Sequence, residues 1–68
     1  MLKNLDRLLR DKGISKKDYA EFLGVAEKTV QNKIQGKTDF SYAETCKTKK
    51  MLFPEYDLLY IFEDDQAG

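Results

Sequence analysis

The sequence predicts a small all-α domain, and three observations support this. Leucines recur at three- and four-residue spacing near the start of the chain, which is the pattern of an amphipathic helix. Glycines follow the first three helical stretches, where helices commonly end in the left-handed conformation. The chain has 68 residues, and helices suit so small a core because their hydrogen bonds are local. We therefore expect five short helices in one domain over residues 1–62, followed by a flexible acidic tail at 63–68.

The first two predicted helices have clear end signals. The first ends at Gly13, and Ile14 is placed to fold back onto it in a Schellman motif. Its apolar stripe consists of Leu2, Leu5, Leu8 and Leu9. Ser15 opens the second helix, with Asp18 three residues later in a shortened capping box, and Gly24 ends it. The apolar residues of the second helix are Tyr19, Ala20, Phe22 and Leu23.

The third helix is predicted from Glu27 to Gln35, with Gly36 at its end. Glu27 lies in the first turn, where an acidic side chain suits the positive end of the helix dipole. Ala26 precedes it and is a poor N-cap, so we expect this helix to begin without a side-chain cap.

The last two helices have weaker patterns. Residues 41–44, SYAE, match a capping box and begin a fourth helix that runs to about Leu52. The residues expected to face the core are Tyr42, Thr45 or Cys46, and Leu52. Polar residues that dilute the apolar pattern are Thr48, Lys49 and Lys50. Pro54 ends this helix, and Asp57 is placed to cap a fifth helix at residues 58–62.

Composition argues against several classes of protein. No apolar stretch is long enough to span a membrane, and the charged start does not resemble a secretion signal. The single cysteine, Cys46, cannot form an internal disulfide, which favours a reducing cytoplasm. The chain has no histidine and no glycine-rich phosphate loop. We therefore expect no metal site, no enzyme activity, no cofactor and no small-molecule ligand.

The net charge of zero conceals an uneven distribution. Residues 1–50 contain all twelve Lys and Arg against seven Asp and Glu, which gives +5. Residues 51–68 contain five acidic residues and no basic one, which gives −5. A nucleic-acid-binding protein needs a local positive surface rather than a positive total. The split is compatible with DNA binding, although an ordinary solvated surface can show it too.

Residues 16–35 carry the spacing of a helix-turn-helix motif. Ala20 is small enough for a close helix crossing, Gly24 tolerates the positive φ of the turn, and Val30 anchors the second helix. The outer face of that helix stays polar to meet base edges. Its candidate base-contacting residues are Glu27, Lys28, Gln31 and Asn32. The spacing favours DNA binding, although a helical hairpin without that function can contain the same three small or apolar residues.

Much of the chain also matches a family pattern. The matching positions are Thr29 and Val30, residues 32–34 (NKI) and 36–38 (GKT), Asp39 and Phe40, Glu44, residues 53–56 (FPEY), Tyr60 and Phe62. From Ser15 through Phe62, and loosely from residue 1, the chain resembles the lambda-repressor-like (Cro/C1, or XRE) DNA-binding family. More narrowly, it resembles the short prophage and mobile-element regulators of low-GC Gram-positive bacteria. The resemblance implies a five-helix bundle whose third helix enters the major groove of double-stranded DNA, usually as half of a homodimer on a palindromic operator.

The resemblance also implies roles for individual residues. It places the four candidate base-contacting residues on the groove-facing surface. Lys16 lies where the family has a phosphate-contacting Gln, and Lys37 and Thr38 lie in a loop that meets the phosphates of the other strand. Surface lysines exchange condensed counterions for their own charge and would supply about four to six phosphate contacts per subunit. These lysines are Lys16, Lys17, Lys28, Lys33 and Lys37. Lys17 and Gln31 also have a simpler interpretation as solvated side chains.

Three positions depart from the family pattern. Lys33 stands where an apolar residue is usual and Ile34 where an acid is common, so the apolar anchor is expected one residue further along. Glu27 is repelled by phosphates, which favours a role at the helix dipole over base reading. Ala26 replaces the usual Ser or Thr cap.

A second class of function stays open. Residues 58–62, LLYIF, are five consecutive apolar residues that cannot all face one small core. They are suited to binding another regulator, which would make the chain an antitoxin- or antirepressor-like interaction module without autonomous DNA binding. They are equally suited to a homodimer contact that sets two reading helices roughly 34 Å apart.

Overall fold

Five α-helices form the protein in a computed structural model that describes residues 1–64. In chain order they are α1 (Lys3–Asp11), α2 (Lys16–Leu23), α3 (Glu27–Gln35), α4 (Tyr42–Met51) and α5 (Leu58–Ile61). No strand occurs among the described residues, which confirms the predicted all-α class with five helices. None of these helices combines the length and the apolar character that crossing a bilayer requires. Of the predicted flexible tail, residues 65–68 lie outside the described part of the chain.

One apolar core lies between the helices. α1 and its N-cap residue Leu2 contribute the whole predicted stripe, in which Leu5 is fully buried and the other three leucines are at most 7% exposed. Ala20 and Val30 bring α2 and α3 to the same core, and Ile61 does so for α5. Phe53 fills the core from the loop between α4 and α5. Burying a large apolar side chain stabilises a fold by about 1.5–3 kcal/mol, so these residues hold the short helices together.

Backbone hydrogen bonds at the C-termini of α1 and α2 confirm the predicted helix ends. After α1, the Ile14 N–H donates to the Leu9 carbonyl at 2.9 Å, which is the expected Schellman bond. After α2, Gly24 takes φ +76°, and the Val25 N–H donates to the Ala20 carbonyl at 3.0 Å. A compact turn of three residues, 24–26, therefore separates the end of α2 from the start of α3.

Two predicted N-terminal caps are present and a third is wrong. The Ser15 hydroxyl accepts from the Asp18 N–H at 3.0 Å. Ser41 and Glu44 form the complete capping box: the Ser41 hydroxyl accepts from the Glu44 N–H at 3.1 Å, and the Glu44 carboxylate accepts from the Ser41 N–H at 2.8 Å. Asp57 stands at the N-cap position of α5, but its side chain accepts no hydrogen bond there. A four-residue helix that packs through Ile61 is held by the core rather than by its cap.

The buried face of α4 differs from the prediction. Tyr42, expected in the core, is 80% exposed, whereas Thr48, expected to dilute the pattern, is fully buried. The Thr48 hydroxyl donates to the Glu44 carbonyl at 2.8 Å and lies 2.6 Å from the Tyr19 hydroxyl. Burial raises the pKa of Tyr19 to about 12. Thr48 is the residue of α4 that faces the core, because a buried hydroxyl needs a hydrogen-bond partner and Tyr19 on α2 provides one.

Residues 58–62 divide between core and surface, as five consecutive apolar residues must. Ile61 is fully buried, and Leu58 and Phe62 are half-buried. Phe62 packs edge-on against Phe40, with 5.1 Å between ring centroids. Leu59 is 86% exposed and is the most exposed large apolar side chain among the described residues.

Candidate nucleic-acid interface

The turn between α2 and α3 has the form that the sequence predicted. Ala20 on α2 is 3% exposed and Val30 on α3 is fully buried, so both helices contact the core at the expected positions. Gly24 adopts positive φ, and a Cβ added there would meet open space. Its backbone conformation is therefore the sole local reason for glycine at this turn, since an L-residue is strained there. The predicted places of these three residues in the hairpin are confirmed.

α3 has one buried face and one exposed polar face. Val30 and Ile34, one helical turn apart, are both fully buried, so the apolar anchor does include Ile34. The candidate base-contacting residues lie off this buried face: exposed Glu27, Lys28 and Gln31, and half-buried Asn32. Within residues 1–64, none of their side chains makes a hydrogen bond or ion pair. Their donors and acceptors are available to a ligand.

Gln35 extends this polar face by one more turn. Its side chain is exposed and lies four residues after Gln31, the spacing that puts two residues on one side of a helix. The sequence prediction left it out, although that spacing identifies it. At the other end, Ala26 provides no side-chain cap, as expected, so the first N–H groups of α3 have no side-chain acceptor at the N-cap.

Exposed cationic and polar residues continue on both sides of α3. Lys17, Lys37 and Thr38 are exposed, and their side chains have no hydrogen bond or ion pair within residues 1–64. Lys16, the first residue of α2, has its ammonium 3.7 Å from a carboxylate oxygen of Asp6 and keeps 42% of its side chain exposed. We call the following set the α2–α3 surface: Lys16, Lys17, Glu27, Lys28, Gln31, Asn32, Gln35, Lys37 and Thr38.

Lys33 differs from the other predicted phosphate-contacting lysines. Only 13% of its side chain is exposed. Its ammonium donates to the Glu44 carboxylate at 3.0 Å and to the Asp39 carbonyl at 2.8 Å. It also lies 5.5 Å from the centroid of the Phe40 ring. Because the ammonium is engaged inside the protein, we leave Lys33 out of the α2–α3 surface.

Glu44 is the acidic partner in this arrangement and was not identified as a site residue from the sequence. Burial by itself would raise the pKa of its carboxyl group. Hydrogen bonds from the Ser41 N–H and the Lys33 ammonium, together with the charge of Lys33, outweigh burial and hold the pKa below its ordinary value. The carboxylate thus serves both the capping box of α4 and the side chain of α3. In the sequence, its capping-box position and its match to the family pattern were the signals that marked it.

Comparisons with known proteins add no relative: no protein-family model, no curated protein and no solved structure matches the chain. Within residues 1–64, no group of His, Cys, Asp and Glu is arranged to hold a metal ion. The site is therefore characterised by its own geometry, as a polar helix supported on a small all-α core.

Proposed function

We propose that this protein binds double-stranded DNA sequence-specifically, as a small transcriptional regulator with a lambda-repressor-like helix-turn-helix fold. The observation that carries the proposal is the two-sided character of α3. Val30 and Ile34 fix the helix to the core, while Lys28, Gln31 and their neighbours project unpaired polar groups outward. An α-helix with such a face fits the major groove of B-DNA, where each base pair presents a distinct pattern of donors and acceptors.

The candidate base-contacting residues of α3 differ in the bases that their side chains can recognise. Asn32 and Gln31 can each bond bidentately to adenine, and Lys28 can donate to the O6 and N7 atoms of guanine. Glu27 can accept from the N4 amino group of cytosine, although its place in the first turn also suits the helix dipole. Each well-formed contact would discriminate between bases by about 1–3 kcal/mol.

Phosphate contacts would supply the affinity that does not depend on sequence. Lys16 and Lys17 at the start of α2, and Lys37 and Thr38 after α3, flank the reading helix on either side. Each lysine that neutralises a phosphate releases counterions and adds about 0.9 to the slope of log affinity against log salt. Without Lys33, we expect about three to four such lysine contacts per subunit.

A homodimer would read two half-sites. A two-fold pair of subunits places its reading helices about 34 Å apart, one turn of duplex. Leu59, which is 86% exposed on α5, is the residue that we propose at the subunit contact.

Selection of bound duplexes from a random pool, followed by titration of variants, tests the proposal. We expect a symmetric motif. Lys28→Ala and Gln31→Ala should each weaken binding to it by about 5- to 150-fold, because each removes a base contact. Lys50→Ala is the matched control, since Lys50 is an exposed lysine on α4 without an ion pair in residues 1–64. An unenriched pool at low salt, or equal losses for Lys28→Ala and Lys50→Ala, would refute DNA binding through α3.

The exposure of Leu59 also favours a second candidate function, that of an interaction module for another regulator. Leu59→Asp, compared by light scattering with Met51→Asp, separates the two. Met51 is the control because it is also apolar and 66% exposed. If α5 forms the homodimer, only Leu59→Asp should give a monomer and weaken DNA binding. A wild-type monomer that binds no DNA would instead support the interaction module.

A further inference from the structure

The loop between α3 and α4, residues 36–41, carries two of the proposed phosphate contacts, Lys37 and Thr38. Its first end is fixed by the backbone. Gly36 takes φ +88°, and the Lys37 N–H donates to the Asn32 carbonyl at 2.9 Å. At its second end, none of the N–H groups of residues 38–41 donates to a backbone carbonyl within residues 1–64, because this part of the loop is not helical. Side chains must therefore hold that end in place.

The side chains of Lys33 and Glu44 fix the second end of the loop. From α3, the Lys33 ammonium donates to the Asp39 carbonyl in the loop at 2.8 Å and to the Glu44 carboxylate in α4 at 3.0 Å. The same carboxylate oxygen accepts from the Ser41 N–H at 2.8 Å. The lysine also lies over the Phe40 ring. One ion pair thus joins α3, the loop and the first turn of α4.

The exposure of the pair argues against a direct role for Lys33 at phosphate. The Lys33 and Glu44 side chains are only 13% and 17% exposed, so solvent screens their attraction less than it screens a surface pair. To reach a phosphate, Lys33 would have to give up both its acceptors. It would also leave the Glu44 carboxylate without its cation beside DNA, which is costly for a largely buried charge.

We propose that Lys33 and Glu44 are positioning residues: their ion pair holds the 36–41 loop so that Lys37 and Thr38 face the phosphates. This role rests on the proposed DNA binding. It predicts that removing an acidic charge changes the affinity for DNA in the opposite direction to the usual one. Removing an acidic charge normally strengthens binding to DNA, because repulsion from the phosphates falls. Removing the charge of Glu44 should weaken binding, because the loop loses its anchor.

Three variants and a control test the proposal on the duplex selected above. Glu44→Gln removes the charge and keeps the capping box, in which Gln also serves. Lys33→Met removes the ammonium and keeps a long side chain over Phe40. Glu21→Gln is the control, because Glu21 is exposed on α2 and has no ion pair within residues 1–64. We expect Glu44→Gln and Lys33→Met each to weaken binding by about three- to tenfold, and the double variant to be no weaker than the worse single one. Glu21→Gln should leave binding unchanged or tighter.

A second measurement keeps this proposal separate from the proposed function. Backbone ¹⁵N relaxation of Lys37, Thr38 and Asp39 without DNA should show larger nanosecond motion in Glu44→Gln than in wild type. Tighter DNA binding by Glu44→Gln, or unchanged loop relaxation, would overturn the positioning role even while Lys28→Ala shows that α3 reads DNA. If neither the wild-type protein nor Glu21→Gln binds any duplex, the proposed function is wrong, and the positioning role for DNA is wrong with it.

Discussion

Lysines on the α2–α3 surface and lysines around α4 use their ammonium groups in different ways. The first group, which we call the exposed lysines, has no hydrogen bond or ion pair within residues 1–64: Lys17, Lys28 and Lys37. The second group, the carbonyl-bound lysines, donates to backbone oxygens: Lys12, Lys47 and Lys49. Both groups carry the same charge, so a count of charges along the sequence cannot tell them apart.

Two of the carbonyl-bound lysines, Lys12 and Lys49, stabilise the connection between α4 and α5, and Lys47 donates to the Phe22 carbonyl in α2. The Lys12 ammonium donates to the Leu52 carbonyl at 2.5 Å, and Lys49 donates to the Tyr56 carbonyl at 2.6 Å. Those carbonyls lie in the connection that Pro54 forces between α4 and α5, where helical hydrogen bonds are missing. The ammonium groups of the carbonyl-bound lysines therefore satisfy the protein's own backbone, whereas those of the exposed lysines face outward, where a polyanion can meet them.

The largest expected effect is on the salt dependence of DNA binding, and it tests the difference between the exposed and the carbonyl-bound lysines directly. Replacing Lys17 and Lys37 together by Met should reduce the slope of log affinity against log salt by about 1.8, since each lost phosphate contact removes about 0.9. Replacing Lys47 and Lys49 together by Met changes the net charge equally. It should leave the slope unchanged and lower the free energy of unfolding by about 1–2 kcal/mol, because the three hydrogen bonds of these two ammonium groups are lost and two of them are weakened by solvent exposure.

Fluorescence anisotropy across a salt series measures the slopes, and urea unfolding measures the stabilities. The first double variant should unfold like wild type within about 0.5 kcal/mol, as surface substitutions usually do. Equal slopes for the two double variants would mean that the exposed lysines have no special relation to DNA.

The contacts of α2 with its two neighbouring helices offer a second comparison, for which we expect effects of intermediate size on stability. α2 and α3 share the apolar core through Ala20 and Val30, whereas α2 meets α4 through the buried hydroxyls of Tyr19 and Thr48. Tyr19→Phe leaves the Thr48 hydroxyl its bond to the helix backbone, so the cost should be about 1 kcal/mol. Thr48→Val leaves the Tyr19 hydroxyl buried without that partner, so the cost should be larger, about 1–3 kcal/mol.

Urea unfolding of both single variants and of the double variant checks this order. The double variant removes both polar groups and should cost less than the sum of the single changes. If Tyr19→Phe proves the more damaging change, the hydroxyl pair is not what fixes α4 against α2.

Features that depend on neighbouring residues could be predicted from the sequence. The Schellman bond of Ile14, the cap at Ser15 and the capping box at Ser41 are each formed within five residues of chain. Their chemistry is complete in a short segment, so the end of α1 and the starts of α2 and α4 follow from it. The exposed face of α3 was predictable for the same reason, because Val30 and Ile34 mark the opposite face by their spacing.

Features that depend on partners distant in the sequence could not be predicted from it. Thr48 is buried because it meets Tyr19, 29 residues earlier in the chain. Lys33 is engaged because it meets Glu44, 11 residues later and on another helix. In the sequence both residues resemble ordinary solvated positions. Exposure was therefore predicted correctly along the face of one helix and incorrectly where two helices meet, and we removed Lys33 from the candidate site for that reason.

The smallest expected effect concerns pH and sharpens the distinction between Lys33 and the exposed lysines. The pKa of the Glu44 carboxyl lies below its ordinary value in the folded chain, so folding favours the ionised form. Its contribution to stability is fully present above the unfolded pKa, near 4.3, and is lost as the pH falls through the lower folded pKa. Urea unfolding should find Glu44→Gln less stable than wild type by up to about 1 kcal/mol at pH 7, with the difference shrinking as the pH falls through the lowered pKa of Glu44. Glu21→Gln should show no such convergence. If the stability difference between Glu44→Gln and wild type stays constant from pH 7 to pH 3, the carboxylate charge does not hold the loop. The Lys33 ammonium would then be as available to a phosphate as those of Lys17, Lys28 and Lys37.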